Sequence, residues 1–225
     1  ESKKLESQRE SMFLIIKFAT NFFHETLLKT SEGENIAKTY FFERGINDES
    51  IKNFNLGYSP EKHDSFAMHA KKNKYSQDFL EKTGLVIYNA NKGIDRFRGR
   101  VIFPIKSISG RIQGFGARLI SEKSKKPKYL NSIESEIYQK SKILYGIYES
   151  KQAIAKNDLC YLVEGYTDVI QLHQSNIKNV VSSSGTALSV DQIRMIGRLT
   201  SNIVVLSDGD DAGLRASLRG IDLIL

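Results

Sequence analysis

The sequence predicts an α+β segment of helices and mixed or antiparallel strands, followed by an α/β unit with a parallel sheet. Three observations carry that prediction. From Asp158 onward, short apolar runs alternate with helical patterns, which is the signature of parallel strands joined by crossover helices. Between Val86 and Ile120 apolar runs lie close together, and Ser107-Ile108-Ser109-Gly110 joins two of them as a hairpin-type connection. Before residue 85 helical spacing dominates. The expected division is residues 1–157, helical over 1–84 and strand-rich and basic over 85–146, and then residues 158–225.

Each element has a local reason. Residues 1–30 read as helix, because Ile15, Phe18, Ala19, Phe22 and Phe23 follow helical spacing and make one apolar face. The run Met12–Phe23 is interrupted by Lys17, is shorter than the roughly 20 residues a bilayer span needs, and lacks a small-residue cleavage signal. A second helix fits Glu34–Arg44, with Gly45 as its stop. Asn47 caps a third, with Asp48 and Glu49 favourably placed in its first turn, and Leu56-Gly57-Tyr58-Ser59-Pro60 ends it. Ser65–Lys74 and Gln77–Lys82 read as short helices, the latter stopped near Gly84. Val86–Tyr88, Val101–Ile105 and Arg111–Ile120 read as strands. Gly114 and Gly116 mark bulges or a close backbone approach rather than a dinucleotide fingerprint, since no helix opens after them. After the polar, basic loop Ser121–Pro127, residues 147–156 read as helix. Then come a strand after Asp158, helix 166–175, strand Val180–Ser183, helix 190–199 capped by Ser189, strand 202–207, and a helix from 211.

With 225 residues and 40% hydrophobic content, the chain can build a real core, and an ordered chain is expected. The lone Cys160 sits in an apolar run and reads as a small core residue. One Cys and four His show no zinc-ligand spacing. A reducing, intracellular compartment and a soluble, cytoplasmic chain without membrane contact are expected. The net charge of +7 is unevenly placed: Arg96 to Lys142 holds twelve Lys or Arg against Glu122, Glu134 and Glu136, a net +9, which leaves −2 for the rest. Such a segment beside an acidic edge suggests a polyanion delivered to a metal site.

The acids lie at two strand ends. Leu159–Val163 runs into Glu164-Gly165-Tyr166-Thr167-Asp168, and Asn202–Ser207 runs into Asp208-Gly209-Asp210-Asp211-Ala212-Gly213. Strand-to-helix junctions of a parallel sheet lie at its carboxyl edge, where ligands of open α/β sheets bind. Glu164, Asp208 and Asp210 can converge there, and converging carboxylates repel unless a cation such as Mg²⁺ sits between them. Taken singly, each cluster is equally well a turn and a helix cap. Their recurrence on successive strands favours metal.

The pair Glu164–Val169 and Asp208–Gly213 resembles the TOPRIM pattern shared by topoisomerases and primases. Upstream, Asp95–Ile105, Gly110-Arg111 through Gly114–Arg118, Lys128–Ser132, Leu144-Tyr145-Gly146, Tyr40–Gly45 and Phe54–Pro60 resemble the bacterial DNA primase family (DnaG type). The resemblance covers nearly the whole chain and is weakest before residue 30. It implies an RNA polymerase/TOPRIM catalytic core that makes short RNA primers on single-stranded DNA from ribonucleoside triphosphates. It implies Glu164, Asp208 and Asp210 as catalytic and metal-binding acids, with Asp168 a supporting acid at the metal. It also places Arg44, Arg98, Arg118, Lys128, Asn131 and Lys140 where template or nucleotide phosphates are met. By residue logic alone Arg44 is equally a helix-dipole partner, and Tyr129 either stacks on a base or packs in the core. Thr167 stands where Met is usual and Ala117 where Gly is usual.

Mg²⁺ or Mn²⁺ is the implied cofactor. Zinc is expected only in a preceding template-binding module, and the replicative helicase is a partner through a following domain. Since Leu225 falls inside an apolar helical pattern with no stop signal, the TOPRIM fold is expected to be truncated. The isolated chain is therefore expected to be weak or inactive as a primase. The competing readings are another TOPRIM enzyme, a topoisomerase or nuclease, and a non-catalytic single-stranded nucleic-acid-binding module.

Overall fold

In the computed structural model, residues 2–90, 92–121, 126–184 and 188–207 are described. The chain divides into unit 1, Glu1–Pro104 with Ile112–Tyr138, and unit 2, Ile105–Arg111 with Gln139–Leu225.

Unit 1 is organised by its first helix, α1 (Ser2–Lys29). Met12, Ile15, Ile16, Ala19, Phe23 and Leu27 recur at helical spacing and are buried. That stripe lies over a four-stranded sheet in the order β1 (Gly57–Ser59), β4 (Arg100–Lys106), β5 (Ile112–Leu119), β6 (Tyr129–Asn131). The helix and β1 touch where a Cβ on Gly57 would stand 2.7 Å from Phe23 Cβ, so only glycine lets them close. The Phe23 and Phe115 rings meet edge to face at 5.5 Å, and Phe97 adds to Phe115 at 6.0 Å. The close approach expected at Gly114 is real: a Cβ there would run into the Tyr138 ring.

Around this core, residues Gly33–Lys38 form a π-helical turn that continues into α2 (Thr39–Glu43), so the single helix expected over 34–44 is locally rewound. Gly45 stops it at φ +69°. Asn47 Oδ1 accepts from Ser50 N at 2.8 Å and caps α3 (Asp48–Asn53), as its sequence position predicts. Helices α4 (Ser65–Lys72) and α5 (Gln77–Lys82) follow, then an antiparallel hairpin of β2 (Val86–Asn89) and β3 (Lys92–Asp95). Asp95 at the end of β3 caps α4, accepting from Phe66 N at 2.7 Å and Ala67 N at 2.9 Å. Burial raises its carboxyl to about 6 against the lowering effect of those two donors.

Three strands correct the expectation, among them Tyr129–Asn131, which pairs as β6 with β5. Gly57–Ser59 is β1, not merely the end of a helix, because Tyr58 pairs with Val101 and is buried. Lys92–Asp95 is β3, which its polar start had concealed.

Unit 2 carries a parallel sheet in the order β8 (Val180–Ser182), β7 (Cys160–Val163), β9 (Ile203–Val205). Helices α6 (Ile147–Asn157), α7 (Tyr166–Gln174) and α8 (Val190–Gly197) alternate with the strands. Its core is Leu144, Ile147, Ile154, Cys160, Leu162, Val181 and Ile196. Cys160 is fully buried and its thiol is pushed up to about 12 by burial, which suits a packing residue rather than a reactive one. Ser189 Oγ accepts from Gln192 N at 3.1 Å and caps α8 as expected. The tight turn 107–110 belongs to this unit: Lys106 Nζ pairs with Glu149 at 2.6 Å, and Lys151 Nζ donates to the Ile108 carbonyl at 2.8 Å. The helix expected from 211 lies outside the described residues. Among the described residues no helix is long and apolar enough to cross a membrane.

Candidate acidic edge and nucleic-acid interface

The acidic edge is built by the end of β7. Glu164 follows the strand directly and is half-buried, with its backbone carbonyl held by Ser182 Oγ of the neighbouring strand at 2.7 Å. Asp168 lies in the first turn of α7, and its Oδ2 accepts from Gly165 N at 2.8 Å, so this acid fastens the strand-to-helix turn that presents Glu164. Strand β9 lies beside β7 with Val205 opposite Leu162, and Leu206 N donates to the Leu162 carbonyl at 2.8 Å. Both strands therefore leave the sheet at one edge. Asp208 and Asp210 lie outside the described residues, and among the described residues no three His, Cys, Asp or Glu side chains are grouped closely enough to hold a metal. What is described is one carboxylate, Glu164, at a carboxyl edge, beside a turn that a second acid, Asp168, fixes.

The basic surface of unit 1 is more fully drawn. Arg44, at the end of α2, stacks its guanidinium 3.8 Å from the centre of the Tyr40 ring. Arg118, on β5, has its guanidinium 4.9 Å from the same centre and donates through Nη1 to the Tyr40 hydroxyl. Tyr129 stands opposite Arg118 on β6, 5.8 Å from its guanidinium, and is 52% exposed, which removes the core-packing alternative for this ring. Lys128 is exposed beside it, and Asn131 is half-buried opposite Gly116. Arg98 is half-buried in the turn between β3 and β4. Lys140 is exposed in a short 3-10 turn of unit 2, where its carbonyl accepts from Gln192 Nε2 at 3.3 Å. The fold thus gathers Arg44 and Arg118 on one tyrosine with Tyr129 alongside. Sequence reasoning did not single out Tyr40 in this cluster, and its helical spacing of four from Arg44 was the available signal.

Two charges of the basic segment face inward. Arg100 is 3% exposed and donates to the carbonyls of Pro127 at 2.7 Å and Lys128 at 3.1 Å. Arg96 donates to the Asn131 carbonyl at 3.4 Å. Burial lowers the pKa of both. They hold the backbone from Pro127 to Asn131, which leads into and forms β6. We expect Arg100→Ala to cost stability, about 2–3 kcal/mol for a buried charge-assisted pair of bonds. Lys128→Ala should leave stability unchanged and flatten the salt dependence of single-stranded DNA binding by about 0.7 in log–log slope. Thermal melts and salt titrations of the two variants check this contrast.

Along the chain, a helical and antiparallel unit with a basic surface is thus followed by a parallel sheet with an acid at its carboxyl edge. Residues 22–151 match the family described as DNA primase catalytic core, N-terminal domain, and residues 161–225 match that described as Toprim-like. The DNA primase of Halalkalibacterium halodurans is 39% identical over 99% of this chain and 37% of its own length. That of Clostridium acetobutylicum is 42% identical over 84% of this chain and 31% of its own. Among solved structures, the zinc-binding and RNA polymerase domains of Aquifex aeolicus primase superpose with a TM-score of 0.89 at 35% identity, covering 97% of this chain and 53% of that one. The DnaG primase catalytic domain bound to single-stranded DNA gives 0.87 at 33% identity, covering 98% and 70%. The chain belongs to the bacterial DNA primase family. It spans about a third of the length of the curated relatives it matches. Toprim domains generally bind a divalent metal.

Proposed function

We propose that this chain is the catalytic core of a primase, joining ribonucleotides into short RNA primers on a single-stranded DNA template. The reading is carried by the succession, along one chain, of a DNA primase catalytic-core match and a Toprim-like match. In this reading Glu164, Asp208 and Asp210 hold Mg²⁺ or Mn²⁺, and Asp168 supports them by fixing the turn after Glu164. The cation, when bound, offsets negative charge on the attacking 3′-oxygen, the phosphoryl group and the departing pyrophosphate. The chain's own residues supply position. Arg44, Arg98, Arg118, Lys128, Asn131 and Lys140 hold phosphates of template or nucleotide. Among the described residues no carboxylate pairs with Arg98, Arg118 or Lys128, so their charge is available to a polyanion. The proposal extends to the relatives' setting: a cytoplasmic replication protein that works with a replicative helicase, and a zinc-bearing module of the kind in the Aquifex aeolicus structure.

The test is incorporation of labelled ribonucleotides on a single-stranded template by the intact protein, with Mg²⁺ or Mn²⁺ supplied. Template-dependent products of short, discrete length are expected. Binding of the template without incorporation under either metal would reduce the protein to a binding module.

A further inference from the structure

We propose that Tyr40 is a positioning residue that turns Arg44 and Arg118 into one phosphate-gripping fork. The inference rests on the reading of those arginines as nucleic-acid contacts and goes beyond it by naming what sets their geometry.

Tyr40 is 5% exposed, so its ring is fixed by packing, with Phe41 edge-on at 5.6 Å. Arg44 lies against the ring within stacking distance, 3.8 Å, and its Nη1 also reaches the Tyr40 carbonyl at 3.5 Å. Arg118 comes from a different element, β5, and is tied to the same phenol through its oxygen and lies within cation–π range of the ring. Two guanidiniums brought to one side chain repel, and a ring that attracts both lowers that cost. The arrangement leaves two donors unspent. Arg118 Nε is buried without a hydrogen-bond partner, and no carboxylate neutralises this arginine among the described residues. The Tyr40 oxygen accepts from Arg118, so its own proton remains for an outside acceptor; among the described residues none takes it. A phosphodiester oxygen, anionic and able to accept several bonds, fits the exposed part of the half-buried Arg118 guanidinium. The neighbouring exposed Tyr129 offers a face on which the attached base can stack.

The experiment measures affinity of the intact protein for an oligo(dT) strand against salt concentration, for wild type, Arg118→Ala, Tyr40→Phe, Tyr40→Leu and the pair Tyr40→Leu with Arg118→Ala. Arg118→Ala should flatten the log–log slope by about 0.7, the share of one phosphate contact. Tyr40→Leu, which changes no charge, should flatten it by at least as much and weaken binding about tenfold or more at low salt. Adding Arg118→Ala to Tyr40→Leu should then cost less than about threefold further, because one loss already contains the other. Tyr40→Phe keeps the ring and the fold but frees Arg118, so it should fall between wild type and Tyr40→Leu. If Tyr40→Phe and Tyr40→Leu both bind with the wild-type slope while Arg118→Ala flattens it, the positioning role is overturned and the phosphate reading stands. Should Arg118→Ala also leave the slope unchanged, both fall. A Tyr40→Leu protein that fails to fold leaves the decision with Tyr40→Phe, whose wild-type slope and affinity would overturn the proposal.

Discussion

Glu164→Gln should lower primer synthesis by at least about 100-fold while leaving the fold and single-stranded DNA binding in place. The substitution keeps size and hydrogen-bonding reach but removes the charge proposed to anchor a cation, and misplacing reacting groups by about 1 Å costs on the order of 100-fold in rate. Glu164 is half-buried at the end of β7, and its backbone is already held by Ser182, so Gln can occupy the same place. In the proposed site, where Glu164 lies with Asp208 and Asp210, removing one carboxylate also relieves repulsion, so the metal-free variant should melt no lower than wild type. Asp208→Asn and Asp210→Asn should behave alike. Asp168→Asn should differ: it weakens the bond from Gly165 N and should cost about 1 kcal/mol of stability, with a smaller loss of rate. Ribonucleotide incorporation read beside melting temperature separates the cases. More than a tenth of wild-type incorporation by Glu164→Gln would remove this residue from the metal site.

The two units should respond to acid in opposite directions. In unit 2, burial lowers the pKa of His173 to about 4, with Lys178 adding to the effect. Its Nε2 lies 3.0 Å from Ser150 Oγ, whose own proton goes to the Val180 carbonyl at 2.6 Å, so the ring donates here as a neutral imidazole and does not activate a nucleophile. The unfolded chain takes up this proton near pH 6.5 and the folded chain only near 4. Stability contributed by neutral His173 is therefore present above pH 6.5 and lost as pH falls through that window, by about 3 kcal/mol. In unit 1, Asp95 has a folded pKa raised to about 6. Its contribution is present below the unfolded value near 4 and lost as pH rises through 6, on the order of 2 kcal/mol. Hydrogen exchange followed by segment from pH 7 to 4, corrected for intrinsic rates, should show β7 and α7 losing protection relative to β3 and α4. His173→Gln should abolish the fall in unit 2. An unchanged fall in that variant would mean the histidine titrates normally.

Periodicity and punctuation made most of the fold legible. Asn47 and Ser189 cap the helices they were expected to cap, and the strand–helix alternation after Asp158 became a parallel sheet. What escaped was set by partners distant in sequence. Gly57–Ser59 carries turn-like residues and becomes a strand only because Val101 and Ile102 lie beside it. Lys92–Asp95 has little apolar content and is a strand through its pairing with β2. The same holds for the sites. Composition counted Arg96 and Arg100 with the charges offered to a polyanion, whereas in the fold Arg100 holds the carbonyls of Pro127 and Lys128 just before β6 and Arg96 that of Asn131 within it. Sequence alone left Arg44 as a helix-end cation, and only the packing of α2 near β5 joins it to Arg118 through Tyr40.

The chain enters unit 2 at Ile105, returns to unit 1 at Ile112, and leaves it again after Tyr138. The halves are therefore not beads on a string that recombination could trade at a single junction. A graft starting at Gln139 would leave behind Lys106, and Glu149 would keep a largely buried charge with its counterion on another molecule. It would also leave behind Ile108, which packs against the core of unit 2. A working chimera between relatives has to move Ile105–Arg111 together with everything from Gln139 onward. Synthesis on the ribosome meets the same constraint, since Lys106 and Ile108 emerge early and wait uncovered until α6 has been made.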